Sequence, residues 1–437
     1  MQGEAKGRIS TGWGKTRRRL TPRLGGRIEP RGGIDKDPQG DKVVLAFFPD
    51  GAPTTSAWER RLRPWSSPKQ NGNPSPSKHM NFVKSTKRYE KWLGGYLRVV
   101  PADLAFKHQR MADSLFAFFR GTFYRWAELW PEVCAALASA PEVEAVGDLH
   151  VENFGTWRDA EGRLVWGIND FDEAFPLAYT NDLARLLASV QIAGMERPLL
   201  VKSSEAAELL LDGYRRGLRA GGRPFVLAEE QTPLREMARA RLRDPERFWA
   251  HLEEQRTVKQ LPRGAEKALR AALPKKAADV RFARRVAGVG SLGHERFIAI
   301  ARQDGGRVAR EIKRRCPSAC VWAGARGKKD YYRRLLDGSV RCPDPLFHLT
   351  DAWVVRRLSP DCCRLELAQL PTRWDEKALL AAMGWETANI HLASGSRAAL
   401  LKHLGQIRPS TLKDAASAMV EVLRKDWKVW RKFTLAD

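Results

Sequence analysis

Apolar residues along this chain recur with one period for a stretch and then switch to another, and the order of the switches limits the folds open to it. From Met80 to about Ala145 they fall at helical spacing, as in Leu115, Phe118, Phe119, Phe123 and Trp126, with Pro101 and Pro131 as punctuation. Residues 146–175 change to short β-branched and aromatic runs, such as Val165-Trp166-Gly167-Ile168, around acidic loops and a turn at Asp159-Ala160-Glu161-Gly162. Helical spacing returns over 180–280, including Leu209 to Leu218 and the charged stretch Leu234 to Leu273. Arg284 to Lys313 then alternates like two or three strands, with a hairpin turn at Gln303-Asp304-Gly305-Gly306. Trp353 to Leu358 and Arg364 to Leu370 add strand-like runs, and Asp375 to Trp430 is helical. Helices and strands segregated in this way predict an α+β fold with a small antiparallel sheet beside a larger helical body.

At 437 residues, the chain has room for two or three domains and a full core. No apolar run approaches the roughly 18 residues that span a bilayer, and the N-terminus lacks the pattern of a secretory signal, so a cytoplasmic protein without a membrane partner is expected. The six cysteines, Cys134, Cys316, Cys320, Cys342, Cys362 and Cys363, have neither disulfide-framework nor zinc-finger spacing and read as reduced thiols. The 76 Lys and Arg against 51 Asp and Glu give a net charge of +25, a surface that attracts anions. Residues 1–79, rich in Gly, Pro and Ser, hold sixteen basic and seven acidic side chains and read as a disordered basic tail, with Val43 to Phe48 as its one strand-like patch. Met80 opens the patterned region and is an alternative start of the chain.

Chemistry concentrates in Gly147-Asp148-Leu149-His150-Val151-Glu152-Asn153-Phe154-Gly155, followed by Ile168-Asn169-Asp170-Phe171-Asp172-Glu173. Phosphoryl transfer asks for a carboxylate to take the acceptor's proton and for oxygen ligands that hold magnesium against phosphates. Asp148 and Asn153, five apart on one loop, supply a carboxylate and an amide oxygen, and Asp170 supplies the charged ligand a hard cation needs. His150 reads as a loop-orienting ring rather than a metal ligand, because no second His lies near it in sequence.

Gly288-Val289-Gly290-Ser291-Leu292-Gly293 fits G-x-G-x-x-G. A dinucleotide site would place a helix after the third glycine, whereas here a strand-like run, Arg296 to Ala301, follows. A strand, a glycine loop and a returning strand describe the flap over ATP phosphates, and Lys313 on the next run is placed to reach the α- and β-phosphates. Residues 302–341 carry twelve Lys or Arg against four Asp or Glu. Arg310, Arg314 and Arg315, and ahead of the acidic loop Lys107, Arg110 and Arg120, are candidates to neutralise an anionic substrate.

The acidic motifs resemble the protein-kinase-like superfamily, in its aminoglycoside and choline kinase branch, whose catalytic loop reads Gly-Asp-x-His-x-x-Asn. The chain is also similar to the bacterial domain-of-unknown-function family 2252, through Ser114 to Gly121, Gly147 to Gly155 and Asn169 to Glu173. The resemblance implies Asp148 as catalytic base, Asn153 and Asp170 as magnesium ligands, Asp172 as an auxiliary ligand and Asp182 as an acid bracing the catalytic loop. Val146 stands where the kinases usually place His. The glycine loop and lysine follow the catalytic loop rather than precede it, which implies a circularly permuted arrangement. No Glu lies between Arg314 and Thr350 to pair with Lys313, leaving Asp330, Asp337 or an acid from elsewhere.

The expected architecture is therefore a two-lobed kinase-like fold: residues 1–79 as tail, 80–280 as the helical larger lobe, 281–370 as the small nucleotide-binding lobe and 371–437 as helices returning to the larger lobe. The expected function is ATP- and magnesium-dependent transfer of a phosphoryl group to a hydroxyl of an unidentified, small acceptor. The site would comprise Asp148 and His150 for catalysis, Gly288, Gly290, Ser291, Gly293 and Lys313 for the nucleotide, and Asn153, Asp170 and Asp172 for the metal. Two rivals are a catalytically silent nucleotide-binding module and a nucleic-acid-binding protein acting through the basic tail, the latter less favoured.

Overall fold

The computed structural model describes residues 81–229, 232–327, 329–365, 370 and 373–435. The expected tail, its Val43 to Phe48 patch and most of the Arg364 to Leu370 run lie outside the described residues. The chain opens with α1 (Phe82–Leu93), capped by the Asn81 side chain on the Val83 amide, then α2 (Pro101–Asp113), whose leading proline needs no hydrogen-bond partner at a first helical position. There follow α3 (Leu115–Gly121), α4 (Phe123–Val133), α5 (Ala135–Ala138) and β1 (Glu142–Ala145). A short turn at Val151–Asn153 leads into the hairpin β2 (Phe154–Arg158) and β3 (Leu164–Ile168), and β4 (Phe175–Ala178) returns to pair with β1.

Next come α6 (Tyr179–Glu196), α7 (Ser203–Ala220), β5 (Phe225–Val226), α8 (Thr232–Arg241), α9 (Pro245–Glu253) and α10 (Arg263–Ala272). The larger sheet and its insertions are β6 (Ala278–Arg284), β7 (Arg296–Gln303), β8 (Gly306–Arg314), α11 (Ala319–Trp322), α12 (Tyr331–Gly338), β9 (His348–Leu349) and β10 (Trp353–Leu358). Three helices finish the chain: α13 (Arg373–His391), α14 (Arg397–Leu404) and α15 (Pro409–Thr434). Among the described residues no helix is long and apolar enough to cross a membrane.

The five-stranded antiparallel sheet runs β6-β7-β8-β10-β9. Its alternation sorts side chains to two faces: Phe297, Ala299 and Ala301 of β7 pack with α10, whereas Ile298 and Ile300 pack with Phe248 and Leu252 of α9. The sequence pattern assigned 80–280 to the helical body, but α9 and α10 belong to the cores of the sheet, because amphipathic spacing shows that a helix has an apolar face and not which surface covers it. The main core is built from α1–α7, the hairpin, α12 and α13–α15. Within it α7 and α13 cross so closely that a Cβ at Gly213 would lie 2.0 Å from the Ala381 carbonyl and one at Gly384 2.2 Å from that of Leu210. That crossing carries Glu386 and His391 of α13 to the backs of the two acidic loops.

Candidate functional site

Gly147 sits at φ +80, and a Cβ there would lie 2.3 Å from the Glu173 carbonyl, so only glycine fits this bend after β1. The amides of Val146 and Gly147 donate to the carboxylate of Asp182, at 2.7 and 3.0 Å, from the first turn of α6. His391 hydrogen-bonds the same carboxylate at 3.1 Å, and its other ring nitrogen meets the Tyr214 hydroxyl at 2.9 Å. A buried acid thus holds the loop by its backbone, and a histidine from α13 contributes to that bracing. On the neighbouring loop Glu386 accepts the Ile168 amide at 3.1 Å, immediately before Asn169-Asp170.

On this bed Asp148 directs Oδ1 to Arg185, 2.8 Å from Nε and 2.5 Å from Nη2. Arg185 is wholly buried, its guanidinium 4.1 Å from the Phe119 ring centroid and about 5 Å from those of Phe123 and Trp126. Burial holds the Asp148 carboxyl above its ordinary range against the pull of Arg185. His150 accepts the Glu152 amide on Nδ1 at 3.2 Å, and burial, with Arg120, Arg185 and Arg364 around it, keeps the ring neutral well below the usual pKa. Asn153 donates from Nδ2 to the carbonyls of Asp148 (3.3 Å) and Asp170 (3.2 Å), tying the two loops together. Its Oδ1 is buried without a hydrogen-bond partner.

Lys313, on β8, reaches Asp170 at 3.2 and 3.3 Å and also pairs with Asp172. The acid partner missing from 314–350 therefore comes from the Asp170–Asp172 loop: Asp330 is paired with Arg315, and Asp337 is exposed. Burial raises Asp170, but Lys313, Arg356 and Arg296 outweigh it and hold the carboxyl low; Asp172, buried beside Asp170, is pushed up. The acid at the centre of the sheet face is instead Glu311, held well below the usual range because Arg296, Arg356 and Arg285 outweigh its burial.

The glycine loop folds down onto this floor. A Cβ at Gly290 would lie 3.2 Å from the Arg120 carbonyl and 3.8 Å from Asp148 Oδ2. Helix α2 holds the loop there: Lys107 donates to the Gly290 carbonyl at 3.2 Å, the Val100 amide to that of Gly293 at 2.9 Å, and Asp103 pairs with Arg284. Ser291 Oγ accepts from Arg296 at 2.6 Å.

Eight of the ten residues singled out from sequence line one cleft of about 80 Å³; Lys313 closes its floor through Asp170 and Asp172, and Gly293 packs outside it near Leu104 and Val99. Of the candidate substrate cations, Arg120 lines the cleft and Arg364, not singled out earlier, joins it. Arg310 is spent on the Ala272 and Ala309 carbonyls, Arg314 and Arg315 line a separate cavity, and Arg110 is exposed. Sequence reasoning gave no role to Arg185 or Glu173. Burial, with Asp148 and Asp172 nearby, pushes Glu173 up to about 8 while its carboxylate accepts the Ala319 amide at 2.6 Å. All six cysteines are free, and no group of three or more His, Cys, Asp and Glu fit to hold a metal is found among the described residues.

The family model described as "Uncharacterized protein conserved in bacteria (DUF2252)" matches residues 98–229 and 225–433. No curated protein and no solved structure matches the chain. The two matched stretches take in nearly every residue of the cleft, from Arg120 to Arg364, and the chain belongs to this bacterial family.

Proposed function

We propose that this protein is an ATP-dependent phosphotransferase acting on a hydroxyl of a small acceptor, with a permuted kinase-like arrangement. The observation that supports this best is the meeting of Asp148, Asn153 and Asp170 with Lys313 beneath a glycine loop, from segments more than a hundred residues apart in sequence. The glycine loop joins the first and second strands of the five-stranded sheet and the lysine lies on the third, the placement protein kinases use.

In this reading Asp148, fixed by Arg185, receives the hydroxyl proton of the acceptor. Lys313 leaves Asp170 and Asp172 for the α- and β-phosphates, and the backbone of residues 288–293 covers them. The partnerless Asn153 Oδ1 and the Asp170 carboxylate form a donor set of the oxygen type that magnesium takes, the remaining positions falling to phosphate and water. Magnesium bound there would neutralise developing phosphate charge. The grip of Arg185 on Asp148 and of Lys313 on both loop carboxylates also favours a second reading, a nucleotide-binding module without turnover.

Magnesium-dependent ADP release from ATP, measured across a panel of hydroxyl acceptors, tests both. Asp148→Asn is expected to lower turnover at least about 100-fold while ATP affinity stays within about threefold. Turnover untouched by Asp148→Asn would overturn the mechanism, and ATP binding without turnover on any acceptor would select the second reading.

A further inference from the structure

Beside the cleft, and sharing Gly288, Arg356 and Arg364 with it, lies a larger chamber of about 550 Å³. Seven arginines line it, at positions 241, 243, 285, 341, 356, 357 and 364, against one acid, Asp344. Arg241 has a partner of its own, and nearby carboxylates neutralise only part of the charge on the other six. Glu311 is shared by Arg285, Arg356 and Arg296, and Glu152 by Arg364 and Arg120. Arg357 meets Asp344 only at 3.5 Å. Arg341 stacks over Trp157 and Phe171, at 4.9 and 5.2 Å from the ring centroids, and meets no carboxylate within ion-pair range among the described residues. Arg341 Nη1 and Arg357 Nε are buried without hydrogen-bond partners.

A buried donor without a partner carries a desolvation cost, and two on guanidinium groups in one chamber, amid further arginines, point to an anion that fits their forks. The nucleoside part of ATP is neutral and does not call for such charge, while the triphosphate is already served by Lys313 and the glycine loop. We infer that the chamber binds a phosphomonoester distinct from the transferred triphosphate and carried by the acceptor. The inference rests on the phosphotransferase reading for the rest of the ligand, but not for the phosphate contact itself.

Calorimetric titration of the full chain tests it with two probe pairs: AMP against adenosine 3′,5′-bisphosphate, and ribose against ribose 5-phosphate in the presence of ADP. Ribose 5-phosphate is expected to bind at least about tenfold more tightly than ribose. A preference confined to the adenosine pair would place the phosphate on a nucleotide other than ATP and overturn the inference. Arg341→Gln/Arg357→Gln should bring ribose and ribose 5-phosphate within about threefold, and Lys313→Met should leave the preference intact. Arg357→Gln alone, which spares the aromatic stack of Arg341, should at least halve the preference and covers the case in which the double variant melts early. No preference in either pair, or one that survives in the folded variants, overturns the inference. Absence of ATP turnover by the unaltered chain, with the preference present, would instead count against the phosphotransferase reading alone.

Discussion

The acidic loop after β1 and the glycine loop meet in one cleft but are held there by different means. Residues 146–153 rest on a buried bed, with Asp182 on two backbone amides, His391 behind Asp182 and Arg185 enclosed by three aromatic rings. Residues 288–293 rest against α3 and take their polar contacts with the helical body from one segment, Val100 to Lys107, and otherwise belong to a sheet with cores of its own. A loop whose backbone donors end on a buried carboxylate cannot shift without exposing them, whereas a loop pinned by a few side chains opens at the cost of those contacts. The difference places rigidity around Asp148 and leaves the glycine loop the easier of the two to open.

The sharpest way to break the comparison is at glycine. Gly147→Ala meets both a left-handed backbone and the Glu173 carbonyl and is expected to cost about 3 kcal/mol or more in urea unfolding. Gly305→Ala in the β7–β8 turn has the same φ of +80 with nothing within 4 Å, and should cost about 1 kcal/mol. Equal losses at the two sites would mean that the Asp148 loop is not specially confined.

Lys107→Met tests the other half. Removing the bond to the Gly290 carbonyl should cost about 1 kcal/mol or less. Amide exchange should accelerate severalfold over 288–293 and stay unchanged over 146–153. Faster exchange in both loops would show that they move as one body.

A separate effect is expected on pH dependence. Glu173 titrates near 8 in the fold against about 4.5 when unfolded, so the folded state binds the extra proton between those values. Its contribution to stability is full below about pH 4.5 and is lost as pH rises through about 8. Glu173→Gln, which can still accept the Ala319 amide, should make the fall in unfolding free energy between pH 5 and 8 shallower. An unaltered slope would place the buried proton elsewhere, with Glu386, pushed up to about 7 by burial, the next group to replace.

Asp148, Asn153 and Asp170 were legible in sequence because they lie within 23 residues, on loops bounded by recognisable strands. Lys313 was legible because a strand, not a helix, follows Gly293. Arg185 was not, since a single cation in an apolar helix reads as the solvent side of an amphipathic face, and only packing against α3 and α4 shows it buried. His391 and Glu386 lie more than two hundred residues from the loops they brace, and nothing in their local spacing points there. The arginine chamber draws on four separate stretches around 241, 285, 341 and 356–364, each of which alone reads as ordinary surface charge.

Local patterning alone thus determined the kinds of element, their order and the chemistry on the acidic and glycine loops, because periodicity, turn residues and short motifs act through neighbours in the chain. Tertiary structure decided which acid faces Lys313, which helices cover the sheet and where uncompensated positive charge collects. Those outcomes depend on burial and on approach between distant segments, and the free energy of a charge is set by what surrounds it in space.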